Sequence, residues 1–118
     1  MKISMIGVGL MGRGIATNIL KNPSYNLKFL SHKGNQPTHE LEAAGATYAS
    51  TIDETIADAK IIILCVTGAT EVEEILFSPA GILARGQKGQ IIVDCSTSMP
   101  DRSKAFATRL AQAGIIFV

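Results

Sequence analysis

The sequence contains no tryptophan, only two cysteines and almost no excess of charge. Eleven lysines and arginines stand against ten acidic residues, a formal charge of +1, which is too little to hold nucleic acid or an anionic membrane. Cys65 and Cys95 each lie in an apolar run, without the spacing of a zinc site or a disulfide framework. We therefore expect free, buried thiols, no metal, and a small-molecule partner.

The chain also lacks the long apolar segments of membrane and secreted proteins. No apolar run approaches the roughly 20 residues needed to cross a bilayer. The N-terminus passes from Lys2 into a short apolar run and then glycines, without the pattern of a secretory signal. These features predict a cytoplasmic protein, or one of an organelle matrix.

The length of 118 residues suffices for one domain with a core, but is short for a complete enzyme with its own substrate pocket. Apolar residues make up 47% of the chain and charged residues 18%, which is typical of an α/β domain with a buried parallel sheet. The last apolar segment, 115–118, ends without a turn or a polar tail. We therefore predict that residues 1–118 are one domain, the N-terminal part of a longer protein.

Strand-like and helix-like segments alternate along the chain. Apolar runs predict six strands, at 3–6, 27–31, 46–48, 61–66, 90–94 and 115–118. Residues 81–89 are predicted to form a broken, glycine-rich connection, whereas the other intervals carry helical spacing. This order predicts an α/β fold, a Rossmann-type doubly wound parallel sheet of about six strands with helices on both faces. The uninterrupted run 61–66 predicts a strand buried on both faces.

A glycine-rich string joins the first strand to the first helix. It has the pattern G-x-G-x-x-G and consists of Gly7, Val8, Gly9, Leu10, Met11 and Gly12. Gly7 allows a tight turn, Gly9 lets the backbone approach a pyrophosphate, and Gly12 permits close packing of helix on strand. Because the string follows a strand and opens a helix, it predicts dinucleotide binding at the positive end of the helix dipole.

The end of the second strand bears on which dinucleotide is bound. An acidic residue there would bind the ribose 2′-hydroxyl of NAD, but this stretch reads Ser31, His32, Lys33. A hydroxyl, an imidazole and an ammonium suit a 2′-phosphate, so NADP is favoured and NAD stays possible. The alternative is a solvated turn in which His32 and Lys33 contact nothing.

Two later strand ends are expected to meet in the same crevice. Val66 and Thr67 are candidates to flank the nicotinamide ribose, and Thr97 to hydrogen-bond near the nicotinamide. Alternatively, Thr67 and Ser98 only cap the helices that follow them.

Beyond the glycine string, further segments resemble one enzyme family. They are Ile15-Ala16, Asn18-Ile19-Leu20, Ile75-Leu76-Phe77, Gly81-Ile82-Leu83, Val93-Asp94-Cys95-Ser96-Thr97 with Pro100, and Leu110-Ala111 with Gly114-Ile115. Together they are similar to the N-terminal part of the β-hydroxyacid dehydrogenases, the group of 3-hydroxyisobutyrate dehydrogenase and tartronate semialdehyde reductase. These enzymes share a cofactor domain of the 6-phosphogluconate dehydrogenase type.

The resemblance implies an NAD(P)-binding domain whose parent enzyme, an NADP-dependent 3-hydroxyacid dehydrogenase, moves a hydride between NADP(H) and a small 3-hydroxyacid or semialdehyde. The family's catalytic lysine and Ser-Gly-Gly substrate loop have no match here, so no catalytic residue is predicted and the chain alone is expected to be inactive. The family's helical C-terminal domain is absent from the sequence, and any homo-oligomer is expected to form through it. NADP-using members often end the second strand with Asn-Arg-Thr, from which Ser31-His32-Lys33 departs.

Two other functions remain open. Imine or pyrroline-type reductases resemble this group in the same glycine string with Met11. A non-catalytic module that keeps the dinucleotide fold is the alternative from a different class.

Overall fold

The computed structural model describes residues 1–7, 10–30, 39–96 and 100–118, with only the backbone of Leu10, Met11 and Pro100. The strands are β1 (Lys2–Ile6), β2 (Asn26–Leu30), β3 (Thr47–Ala49), β4 (Ile61–Leu64), β5 (Ile91–Asp94) and β6 (Ile116–Phe117). The helices are α1 (Leu10–Leu20), α2 (His39–Ala43), α3 (Ile52–Ile56), α4 (Ala69–Phe77), α5 (Ile82–Arg85) and α6 (Pro100–Ala111).

All six strands join one parallel sheet in the order β3-β2-β1-β4-β5-β6. From β1 the chain builds outward to β3 on one side, and then returns to build β4 to β6 on the other side. The strand order therefore reverses between β1 and β4, where a doubly wound sheet opens a crevice at its carboxyl edge. The predicted six-stranded Rossmann-type fold is confirmed.

The core consists of two apolar clusters separated by the sheet. Ile62 and Leu64 of β4 belong to the cluster that includes residues of α3 to α6, whereas Ile63 and Cys65 pack against the cluster that includes Ala16 of α1. The predicted burial of this strand on both faces is confirmed. Because both faces of β4 are covered, the strand has no polar face, and its sequence is correspondingly apolar throughout.

The connection between α4 and β5 is more regular than the sequence predicted. It contains the short helix α5, whose Ile82 is fully buried. A Cβ on Gly81 would lie 2.6 Å from the carbonyl oxygen of Ile75, so glycine lets α5 pack directly against α4. Turns and irregular backbone flank α5 on both sides, as predicted for a broken connection, but the helix itself was not predicted, because burial of one side chain stabilises a turn of helix too short to form alone.

Candidate cofactor site

The turn that leaves β1 lies against the end of β4. Gly7 is buried there and has a φ of +98°, a conformation that favours glycine. A Cβ at this position would lie 2.1 Å from the carbonyl oxygen of Cys65 and 3.0 Å from Cγ1 of Val66. Gly7 therefore has a conformation that requires glycine, and the contact leaves no room for a side chain.

The first turn of α1 packs onto the same turn. A Cβ on Gly12 would lie 2.1 Å from the carbonyl oxygen of Gly7 and 3.4 Å from Cε of Met5. No acidic residue occurs in the first turn of α1, so no carboxylate opposes an anion at the positive end of the helix dipole. A helix start held this close to the carboxyl end of β1 is the geometry that a pyrophosphate requires.

The ends of β4 and β5 are joined by a short series of hydrogen bonds. Cys95 N–H donates to the carbonyl of Leu64 at 2.7 Å, which continues the parallel ladder beyond the strands. Val66 N–H donates to Oγ of Ser96 at 2.8 Å, and Ser96 N–H donates to Oδ1 of Asp94 at 2.8 Å. Two neighbouring strand ends thus form one hydrogen-bonded unit beside the Gly7 turn, which we call the β4–β5 junction (Cys65, Val66 and residues 94–96).

Thr67 follows this junction with an exposed side chain. The N-cap of α4 is Gly68, in extended conformation and without a side-chain cap hydrogen bond. The alternative that Thr67 serves only to cap this helix is therefore wrong. Thr67 lies just beyond the carboxyl end of β4 and is exposed.

The structure brings four predicted site residues together at the carboxyl edge: Gly7, Gly12, Val66 and Thr67. The backbones of Leu10 and Met11 form the start of α1 beside them. The other predicted residues lie outside the described part of the chain; they are Val8, Gly9, Ser31, His32, Lys33 and Thr97.

Ser96 was missed as a site residue by the sequence reasoning. The signal for it was the Asp94-x-Ser96 spacing after a buried strand, since an aspartate often accepts a hydrogen bond from the N–H two residues later.

In the described part of the chain, cavities lie at both edges of the sheet. One of about 320 Å³ opens at the carboxyl edge and is lined in part by Asp94, Ser96 and Lys104. The other, of about 170 Å³, lies toward the amino ends of β1 and β2 beside Ser4 and Lys28. Of these two, the first adjoins the β4–β5 junction.

The two cysteines lie at the junction and are both free. Cys65 is partly buried, but Cys95 is exposed, so the prediction that both are buried is wrong. The pKa of the Cys65 thiol is raised, mainly by burial and to a lesser extent by the neighbouring Cys95 and Asp94. Cys95 is exposed because its strand has ended, whereas the residue's apolar neighbours had predicted a buried position.

Among the described residues, no group of three or more His, Cys, Asp or Glu side chains is placed to hold a metal ion. In the same ranges no helix is both long and apolar enough to cross a bilayer.

Residues 2–118 match the family model of the NAD-binding domain of 6-phosphogluconate dehydrogenase. Among curated relatives, 2-hydroxy-3-oxopropionate reductase of Escherichia coli K12 is 30% identical, over 97% of this chain and 38% of that protein. Mouse mitochondrial 3-hydroxyisobutyrate dehydrogenase is 30% identical, over 98% of this chain and 34% of that protein. NAD-dependent L-serine dehydrogenase of Pseudomonas aeruginosa is 28% identical, over 97% of this chain and 38% of that protein. The chain thus spans little more than a third of the length of these relatives.

Solved structures agree with this similarity. The structure of Psf3 in complex with NADP+ and 2-OPP has a TM-score of 0.87 and 25% identity, covering 98% of this chain and 40% of that chain. The imine reductase BcSIRED of Bacillus cereus BAG3X2 has a TM-score of 0.83 and 25% identity, covering 98% of this chain and 38% of that chain.

Proposed function

The chain belongs to the family defined by the NAD-binding domain of 6-phosphogluconate dehydrogenase, and on that basis we propose that it binds NADP for a longer oxidoreductase. In the proposed reaction, that enzyme transfers a hydride between NADP(H) and a small 3-hydroxyacid or semialdehyde. The observation that carries the proposal is the close contact of Gly12 with the Gly7 carbonyl, which holds the start of α1 at the carboxyl end of β1. This contact prepares backbone N–H groups for an anionic pyrophosphate.

Residues on three strand ends fit the parts of a dinucleotide. The glycine string is proposed to hold the pyrophosphate, and the junction residue Val66, with Thr67 and Thr97, to hold the nicotinamide half. The bound nicotinamide supplies the hydride chemistry. The chain's own residues bind and orient it, while the substrate and the proton-transferring group belong to the remainder of the longer protein.

The preference for NADP rests on the end of the second strand. Ser31, His32 and Lys33 offer donors and a positive charge, with no carboxylate to repel a 2′-phosphate. The Psf3 structure, which is similar in fold and sequence, was solved with NADP+. A relative of similar identity is named as NAD-dependent, so the preference within this group is a property of the individual sequence.

A second candidate is the cofactor domain of an imine reductase, favoured by the similarity to BcSIRED. The sequence that follows residue 118 in the longer protein distinguishes the two. A lysine at the position of the family's catalytic lysine would favour the hydroxyacid enzyme, and its replacement would favour imine chemistry. A non-catalytic module would show dinucleotide binding without oxidation of NADPH by any small semialdehyde or imine.

The cofactor preference is tested by thermal shift with NADP beside NAD, since a ligand that binds only the folded state raises its stability. We expect a larger shift with NADP. Lys33→Ala should weaken NADP binding about tenfold through loss of a charge-assisted hydrogen bond and leave NAD unchanged. Lys21→Ala, at an exposed lysine just after α1, is the matched control and should change neither. Equal shifts with both dinucleotides would refute the preference.

A further inference from the structure

The β4–β5 junction departs from a regular parallel ladder at one hydrogen bond. The bond from Cys95 N–H to the Leu64 carbonyl follows the ladder register, in which Leu64 pairs with Asp94. In a parallel pair the next donor, Val66 N–H, would be directed at the carbonyl of Cys95. It donates instead to the Ser96 hydroxyl at 2.8 Å, so a side chain ends the ladder.

Ser96 is itself held in place from the strand. Its N–H donates to Oδ1 of Asp94 at 2.8 Å, which fixes the backbone from which the hydroxyl projects. Both hydrogen bonds are partly buried and therefore shielded from competition with water. The position of the Val66 backbone thus depends on the side chain of a residue on the neighbouring strand end.

The location of Val66 gives this dependence a functional meaning. Its Cγ1 lies against the Gly7 turn, at the crevice between β1 and β4. In a doubly wound sheet the adenosine half of a dinucleotide lies toward β2 and the other half toward the ends of β4 and β5. The backbone held by Ser96 therefore borders the half that carries the nicotinamide.

We propose that Ser96 is a positioning residue for the nicotinamide half of the cofactor. It acts through Val66, whose backbone it fixes, and Asp94 orients it. This inference rests on the proposed function, because it requires that a dinucleotide occupies the crevice. It assigns the hydroxyl of Ser96 the role of an acceptor, a role that threonine can fill and alanine cannot.

The test compares whole dinucleotides with fragments that lack nicotinamide. Dissociation constants of the chain are measured for NADP and 2′-phospho-ADP-ribose, and for NAD and ADP-ribose, so that the result does not depend on the cofactor preference. Ser96→Ala should weaken the dinucleotide of the preferred pair about three- to tenfold and its fragment less than about twofold. Ser96→Thr should restore the wild-type affinity. Equal weakening of dinucleotide and fragment, or no weakening of either, would overturn the inference.

A control variant and the melting temperature of the unliganded protein distinguish a positioning role of Ser96 from a purely structural one. Thr108→Ala also removes a hydroxyl that hydrogen-bonds to the backbone, although this one donates, to the Lys104 carbonyl at 3.0 Å, and lies on the exposed side of α6. It should leave all four affinities unchanged. If Ser96→Ala only loosens the fold, the unliganded melting temperature falls and both members of a pair weaken alike, which overturns the inference. Failure of the wild-type chain to bind any of the four ligands would instead reject the proposed function.

Discussion

Replacing Gly12 with alanine tests the contact on which the candidate site depends. A Cβ at this position would lie 2.1 Å from the Gly7 carbonyl oxygen, whereas carbon and carbonyl oxygen normally approach to about 3.3 Å. The start of α1 must therefore move by about 1 Å away from the turn after β1. Overpacking of this kind costs about 3 kcal/mol when the obstacle is backbone.

Gly14 provides the matched control, because it lies in the same helix and a Cβ added there would meet nothing within 4 Å. Alanine is favoured over glycine in a helix by about 1 kcal/mol, and both variants gain this amount. Gly14→Ala should therefore stabilise the domain by about 1 kcal/mol, and Gly12→Ala should destabilise it by about 2 kcal/mol. The difference of about 3 kcal/mol corresponds to about 12 °C in melting temperature for a domain of this size.

Urea unfolding followed by far-UV circular dichroism measures both variants. The dinucleotide-dependent thermal shift is recorded in parallel, and should shrink for Gly12→Ala but persist for Gly14→Ala. Equal stabilities of the two variants would refute the close packing of α1 on the Gly7 turn. A full thermal shift in Gly12→Ala would refute its importance for the cofactor.

Three further predictions concern the turn, the thiols and a buried amide. Gly7→Ala should destabilise the domain by about 2 kcal/mol more than Gly45→Ala, as measured by urea unfolding. Both glycines have a positive φ, but only at Gly7 would the added Cβ also meet backbone atoms. Equal losses of stability in the two variants would contradict this. An alkylating agent, with its reaction followed by mass spectrometry, should modify Cys95 before Cys65. The reason is that the raised pKa of Cys65 lowers the fraction of its thiolate. The Cys65 rate should keep rising with pH above the range in which an ordinary thiol becomes fully ionised, and a rate that levels within that range would argue against the burial. Gln90→Leu should lower the free energy of unfolding by about 3 kcal/mol. The side-chain amide of Gln90 donates to the carbonyls of Ile56 and Ala59 and accepts from the Gln87 N–H. A loss of stability no larger than that of Gln87→Leu, at an exposed position, would show that these hydrogen bonds contribute little.

The sequence by itself determined the class of fold and the position of the glycine turn. Short-range patterns carry this information: an apolar run followed by glycines and a helical repeat has few alternative structures. The run 61–66 likewise predicted a strand covered on both faces, although β4 ends at Leu64. The cap of α3 also depends on near neighbours, since Glu54 N–H donates to Oγ1 of Thr51, three residues earlier, at 3.1 Å.

Only the tertiary structure decided what depends on neighbours distant in sequence. The helix α5 forms because Ile82 is buried by other elements, and a pattern of four residues could not indicate it. The exposure of Cys95 depends on where β5 ends within the sheet, and the hydrogen bond from Val66 to Ser96 spans 30 residues. Sequence spacing predicts which residues follow each strand, but only the parallel pairing of β4 with β5 brings their ends within hydrogen-bond distance.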